Sequence, residues 1–258
     1  MKIEQVALIT YTIRDFIKTP DDFRTSMEKL SRIGYRAVQI SGMAHDVMPP
    51  EEIASVCADH GLTICATHEP GDWILDEPGK VVDRLKALGC RYTAYPFPSG
   101  VDFGDADSRA SLIRKLDQAG ALLRENGLVL AYHNHNHEFV KWDGKTALEH
   151  IYDETDPKNL QAEIDTYWVQ LGGGDPVAWC RRLKNRLPLL HLKDVGVRAG
   201  NQTIMHEIGY GNLDFKAIVA AAEASGCEWF IVEQDSCPGD PFDSAKLSFD
   251  YIKANLVA

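Results

Sequence analysis

Gly127-Leu128-Val129-Leu130-Ala131-Tyr132-His133-Asn134 is the stretch from which the fold can be read. A glycine ends the preceding helix, where a left-handed backbone costs it little. An apolar, β-prone run follows, and polar residues close it. The same unit recurs along the chain at intervals of roughly 30 residues. Gly34, Gly61, Gly89 and Gly226 likewise stand just before β-rich runs. Strands are expected over 3–10, 37–41, 62–68, 92–95, 128–132, 160–165, 189–192 and 229–233. Helix starts lie between them: Thr19-Pro20-Asp21-Asp22, Pro49-Pro50-Glu51-Glu52, Asp175-Pro176 and Asp240-Pro241 each put proline and acids into a first turn. Eight strand–helix units without a composition break predict an α/β protein, a (β/α)8 TIM barrel in a single domain over 1–258. A doubly wound open sheet fits less well, because no G-x-G-x-x-G turn follows the first strand.

The 258 residues carry 27 Lys plus Arg against 38 Asp plus Glu, a net charge of -11. An acidic chain repels a phosphate backbone, so no nucleic-acid partner is expected. No apolar run approaches the roughly 18 residues of a membrane span, so no membrane partner is expected either. Glu4 interrupts the opening segment where a secretory signal needs an apolar core. The six cysteines are scattered, with no C-x-x-C pair. A cytoplasmic location with reduced thiols is the resulting expectation.

In a barrel the chemistry sits at the carboxyl ends of the strands. Those ends read Ala66-Thr67-His68-Glu69, Tyr132-His133-Asn134-His135-Asn136-His137-Glu138-Phe139, Glu163-Ile164-Asp165-Thr166-Tyr167-Trp168, His191-Leu192-Lys193-Asp194 and Val232-Glu233-Gln234-Asp235. A carboxylate or imidazole from each of the last four strands can converge on one point. Glu138, Asp165, His191 and Glu233 are therefore candidate ligands of one divalent metal ion. Such a set suits Mn2+ first, with Mg2+, Co2+ and Zn2+ as alternatives. The period-two rule puts Glu163 and Asp165 on one face, and His191 with Lys193 on one face.

At these residues the chain resembles the xylose-isomerase-like TIM-barrel superfamily, in its sugar isomerase and epimerase, inosose dehydratase and 3-keto-glycoside epimerase-like branch. Gly209-Tyr210-Gly211-Asn212-Leu213-Asp214-Phe215 adds to the resemblance, which covers nearly the whole chain. It implies a mononuclear metal site with Asp165, His191 and Glu233 as ligands. The fourth ligand has two candidates. Related epimerases carry a Glu at the tip of strand five, where this chain has Tyr132 and His133; either Glu138 folds back to the metal or His133 replaces it. Trp168 stands where many epimerases carry a substrate-binding His, and offers an apolar wall to a sugar ring. The related endonuclease IV fits poorly, because Trp168 and Met205 stand where its extra ligands would be expected.

The expected activity is that of a metal-dependent isomerase or epimerase, which removes a proton next to a carbonyl of a sugar, ketose or keto-glycoside through a metal-bound enediolate. The resemblance makes Glu138 and Glu233 the base pair, with His133 as the competing base. Lys193 is expected to polarise an oxygen or donate a proton, its alternative being a surface salt bridge beside Asp194. His68, His135, Trp168 and Asp235 are expected to bind substrate. The loops at 207–211 and 235–240 carry acids and no Lys or Arg, so a neutral sugar or keto-sugar is the expected small-molecule partner. A lyase or dehydratase acting by β-elimination is the alternative activity, and a non-catalytic sugar-binding barrel a second one. Relatives associate through exposed barrel faces, which implies a homo-oligomer.

Overall fold

A computed structural model of the chain describes residues 1–257. Eight parallel strands form a closed barrel in sequence order: β1 (Val6–Ile9), β2 (Ala37–Ile40), β3 (Thr63–His68), β4 (Tyr92–Tyr95), β5 (Val129–His133), β6 (Leu160–Asp165), β7 (Leu189–Leu192) and β8 (Trp229–Val232). β8 returns to β1 through Val6 opposite Phe230 and Leu8 opposite Val232, so the sheet has no free edge. Parallel neighbours require a crossover, and helices supply it on the outside. Two short antiparallel hairpins lie outside the barrel, one between β5 and β6 and one directly after β7.

The proline-and-acid starts behave as the sequence suggests. Thr19 accepts a hydrogen bond from the Asp22 N–H ahead of the helix Pro20–Ile33, and Asp175 and Asp240 cap Pro176–Arg182 and Pro241–Asn255 in the same way. The first strand is shorter than the expected 3–10. Residues Ile3–Gln5 form a 3-10 turn closed by a hydrogen bond from Lys2 N–H to Gln5 Oε1, and a second 3-10 segment begins at Thr10, whose hydroxyl donates to the Ser41 carbonyl. β5 runs one residue past its expected end, through His133.

Alternation separates two apolar cores. Outward-facing Leu8, Val38, Leu130, Ile164, Leu190 and Phe230 pack under the helices. The barrel interior is a smaller cluster in which Ala7, Ala37, Ala66, Ala94 and Ala131 lie beside Leu189 and Ile231. Close packing has a visible demand at Gly120, inside the helix Ala106–Glu125: a Cβ there would stand 2.1 Å from the Asn159 carbonyl oxygen.

Following the inward rows towards the carboxyl ends, the apolar floor gives way to ionisable groups. Leu189 is succeeded by His191 and Lys193, Ile231 by Glu233 and Asp235, and Ala131 by His133. Register then aligns neighbours: His133 is opposite Glu163, and Asp165 is opposite His191.

Candidate active site at the carboxyl ends of the strands

The alternation and register place His133, Asp165, His191 and Glu233 so that one ligand atom of each lies within 4.8 Å of the others. All four are buried, between 0% and 5% exposed. Asp165 is divided between two tasks. Its Oδ1 accepts the Trp168 N–H at 3.0 Å and caps the helix Thr166–Leu171, while Oδ2 has no hydrogen-bond partner. Its own N–H donates to Asn134 Oδ1 at 3.0 Å, which ties the end of β6 to the β5 loop.

Beneath this group lies a carboxylate that sequence reasoning noted only for its face. Glu163 Oε1 is 2.6 Å from His68 Nε2, 2.7 Å from His191 Nε2 and 3.2 Å from His133 Nδ1. Glu163 Oε2 accepts from Gln39 Nε2 at 2.8 Å, and Gln39 Oε1 lies 2.7 Å from His191 Nε2. Burial raises the Glu163 pKa, but the charges of His191 and His68 outweigh it and hold the carboxylate well below its usual range. His191 is shared between two acids, since its Nδ1 lies 2.8 Å from Glu233 Oε2. Burial opposes the charged imidazole, yet Glu163 and Glu233 prevail and push its pKa up to about 10.

Lys193 is 1% exposed, so the surface salt bridge weighed for it does not occur. Its Nζ lies 2.8 Å from both Asp235 carboxylate oxygens, 3.2 Å from Glu233 Oε2 and 3.6 Å from Asp165 Oδ2. Burial disfavours the ammonium, but Glu233, Asp165 and Asp235 together raise its pKa above the ordinary value. Burial likewise raises Glu233, and Lys193 and His191 reverse the effect, so that Glu233 stays ionised well below the usual range. Asp165 goes the other way. Burial, with the Glu233 charge against the pull of Lys193, pushes it up to about 7. Asp194 turns away from this group and accepts N–H groups from Val195, Gly209, Gly211 and Leu213, fastening the loop after β7. Gly211 is required there, since a Cβ would come within 2.4 Å of Asp194 Oδ1.

Two buried atoms of the four-residue group are without hydrogen-bond partners: Asp165 Oδ2, and His133 Nδ1, which is out of line with Glu163. Burial together with the His191 charge keeps His133 well below its usual pKa, so its ring is neutral and free to ligate. Two imidazoles and two carboxylates are a donor set that could hold a divalent cation, and the unpartnered atoms fit one.

Glu138 is not in this group. It is fully buried in the loop after β5, where its carboxylate accepts from the Tyr132 hydroxyl at 3.0 Å and from the His135 N–H at 2.8 Å. Its metal-compatible neighbours are His135 and His137. Of the two candidates for the fourth ligand, His133 therefore lies with Asp165, His191 and Glu233, and Glu138 lies elsewhere. The residues expected to meet substrate are divided in the same way. Trp168 is half-buried, with an unpartnered indole N–H and with the Lys193 Nζ 5.1 Å from its ring centroid. Asp235 is engaged by Lys193, and His68 is turned to Glu163. His135 stands 5.4 Å from Trp168 between ring centroids, with its Nδ1 unpartnered. Gln39 was missed, and Glu163 was noted only as sharing a face with Asp165. A Gln in the otherwise apolar Ala37–Ile40, and a Glu two residues before Asp165, were the available signs.

A closed parallel barrel whose carboxyl ends gather His, Asp, Glu and Lys defines a TIM-barrel protein with an enzyme-like polar centre. The sequence pattern of the xylose isomerase-like TIM barrel matches residues 27–255, and the chain belongs to that family. It is 29% identical over 159 residues to an inosose dehydratase of Geobacillus thermodenitrificans, a match covering 55% of this chain and 53% of that one. The chain thus spans about half the length of the curated relatives it matches. A sugar phosphate isomerase/epimerase from Parabacteroides distasonis superposes with a TM-score of 0.84 at 21% identity, over 99% of this chain and 96% of that one. An L-ribulose 3-epimerase does so with a TM-score of 0.77 at 15% identity, over 99% and 95%. Both share this fold. No helix among the described residues is long and apolar enough to cross a membrane.

Proposed function

We propose that the chain is a divalent-metal-dependent enzyme that removes the proton from a carbon next to a carbonyl of a neutral sugar, ketose or keto-glycoside, and that the reaction proceeds to β-elimination. His133, Asp165, His191 and Glu233 would hold the cation. When bound, it would supply electrophilic polarisation of the carbonyl and so acidify the neighbouring C–H. The observation that carries the reading is the contact between Glu233 and Lys193, a buried carboxylate 3.2 Å from a buried ammonium.

One base beside one acid is what an elimination needs. Glu233, kept ionised by Lys193 and His191 against its burial, takes the α-proton. The electron pair forms the double bond as the bond from the next carbon to its leaving oxygen breaks. Lys193 protonates that oxygen, and proton transfer from Glu233 to Lys193 over their short separation restores both groups. Trp168 walls the site with an indole N–H left over for a substrate oxygen. Epimerisation through a pair of carboxylates would need Glu138 near the cation, but Glu138 is bound to Tyr132 and His135. The similarity to an inosose dehydratase agrees with elimination.

Isomerisation or epimerisation is the second reading. Glu233 allows it, because the carboxylate that takes the proton can return it to a carbon instead of passing it to Lys193. The test is to incubate metal-loaded protein with inososes, ketoses and 3-keto-glycosides in deuterated water. Loss of water or aglycone with a new enone absorbance is expected. Deuterium in a rearranged or recovered sugar without such a loss would transfer the assignment to the second reading. No change in any substrate would remove both.

A further inference from the structure

The loop after β5 contains a second gathering of ligand atoms that the proposed reaction does not use. One atom each of His135, His137 and Glu138 lie within 4.8 Å of one another, and the group shares no residue with the cluster on β5–β8. The two groups adjoin where the His133 and His135 rings stand 5.0 Å apart.

Three features make this more than a crowded loop. Glu138 is fully buried, and its one ion-pair contact among the described residues is His137, whose Nε2 lies 3.3 Å from Glu138 Oε1. A buried carboxylate without a fixed cation is costly, and hydrogen bonds from Tyr132 and the His135 N–H only partly offset that cost. Secondly, His135 Nδ1 and His137 Nε2 are both buried atoms with no hydrogen-bond partner. Thirdly, the two imidazole rings are near-parallel, 6° apart with centroids 5.4 Å from one another, and both bring a ligand atom close to Glu138. Two imidazole lone pairs without a hydrogen-bond partner beside a buried carboxylate point to a cation.

We infer that His135, His137 and Glu138 form a second divalent-cation site, adjoining the first. Two imidazoles and one carboxylate are the donor set of three-ligand zinc sites that leave a position open, and imidazole disfavours Mg2+. A bound ion neutralises Glu138, fixes the loop 134–139 over the barrel mouth and explains why Glu138 is withheld from the cluster on β5–β8. The inference rests on the proposed function only in assigning a separate ion to His133, Asp165, His191 and Glu233.

The full chain, stripped with chelator and titrated with Zn2+ and Co2+, reports the stoichiometry directly. The wild type is expected to bind about two ions, and His137→Ala and His191→Asn about one each, with cobalt absorption lost from a different site in each variant. His137 is partly exposed, so its removal leaves the apolar cores intact, and His135→Asn provides a second variant if needed. Circular dichroism confirms folding before titration. Two ions retained in both His137→Ala and His135→Asn would overturn the inference. So would a single wild-type ion that His191→Asn removes and His137→Ala does not, which leaves the proposed function standing. A single ion lost in His137→Ala and kept in His191→Asn would support the loop site and refute the strand cluster.

Discussion

Asp165, His191 and Glu233 come from strands or from the residue directly after one, whereas His135, His137 and Glu138 come from a loop. The strand residues are placed by backbone hydrogen bonding. Asp165 and His191 are register partners, and Glu233 stands two positions beyond Ile231, the partner of His191. Two inward positions on neighbouring strands must face each other, whatever the rest of the sequence does. The loop residues are placed by side-chain bonds, chiefly those from Tyr132 and the His135 N–H to the Glu138 carboxylate. A strand thus fixes its functional groups by period, and a loop fixes them by local chemistry.

Changes on the strands should therefore cost more than changes in the loop, because the strand groups share charge as well as position. Glu233 contacts both His191 and Lys193, so Glu233→Gln releases both at once. Turnover should fall by about 10²-fold or more, the scale of a lost general base, and steady-state assay with metal analysis checks it. Unchanged turnover with unchanged metal content would place the chemistry elsewhere.

Glu163 gives the next effect. It touches His68, His133 and His191 from below, and a ligand's outer partners orient it and sharpen its basicity. Glu163→Gln should weaken metal binding about 10- to 100-fold while the barrel still folds, as read by chelator competition and a thermal melt. A variant that binds metal like the wild type would reduce Glu163 to a packing role.

The same contrast explains what could be read from the sequence. The barrel was legible because glycine stops, β-prone runs and proline-and-acid helix starts repeat along the chain, and the structure has all eight strands. Asp165, His191 and Glu233 were legible as strand-end groups for the same reason. Glu138 was not. Its five-residue separation from His133 says nothing about direction once the strand has ended, and the bonds that hold it come from Tyr132 and a backbone N–H. Lys193 had a surface pairing with Asp194 as its alternative, until the loop after β7 claimed Asp194 through four N–H groups. Gln39 contributes from the opposite side of the barrel, at a distance in sequence that no local pattern reports.

In the proposed centre His133, and not Glu138, completes the cation's ligand set with Asp165, His191 and Glu233. A crystal structure of manganese-soaked protein, with anomalous data at the manganese edge, tests it most directly. A peak bonded to His133, Asp165, His191 and Glu233 is the predicted result. A peak bonded to Glu138 in place of His133, or no peak at this cluster in protein that remains active, would contradict it.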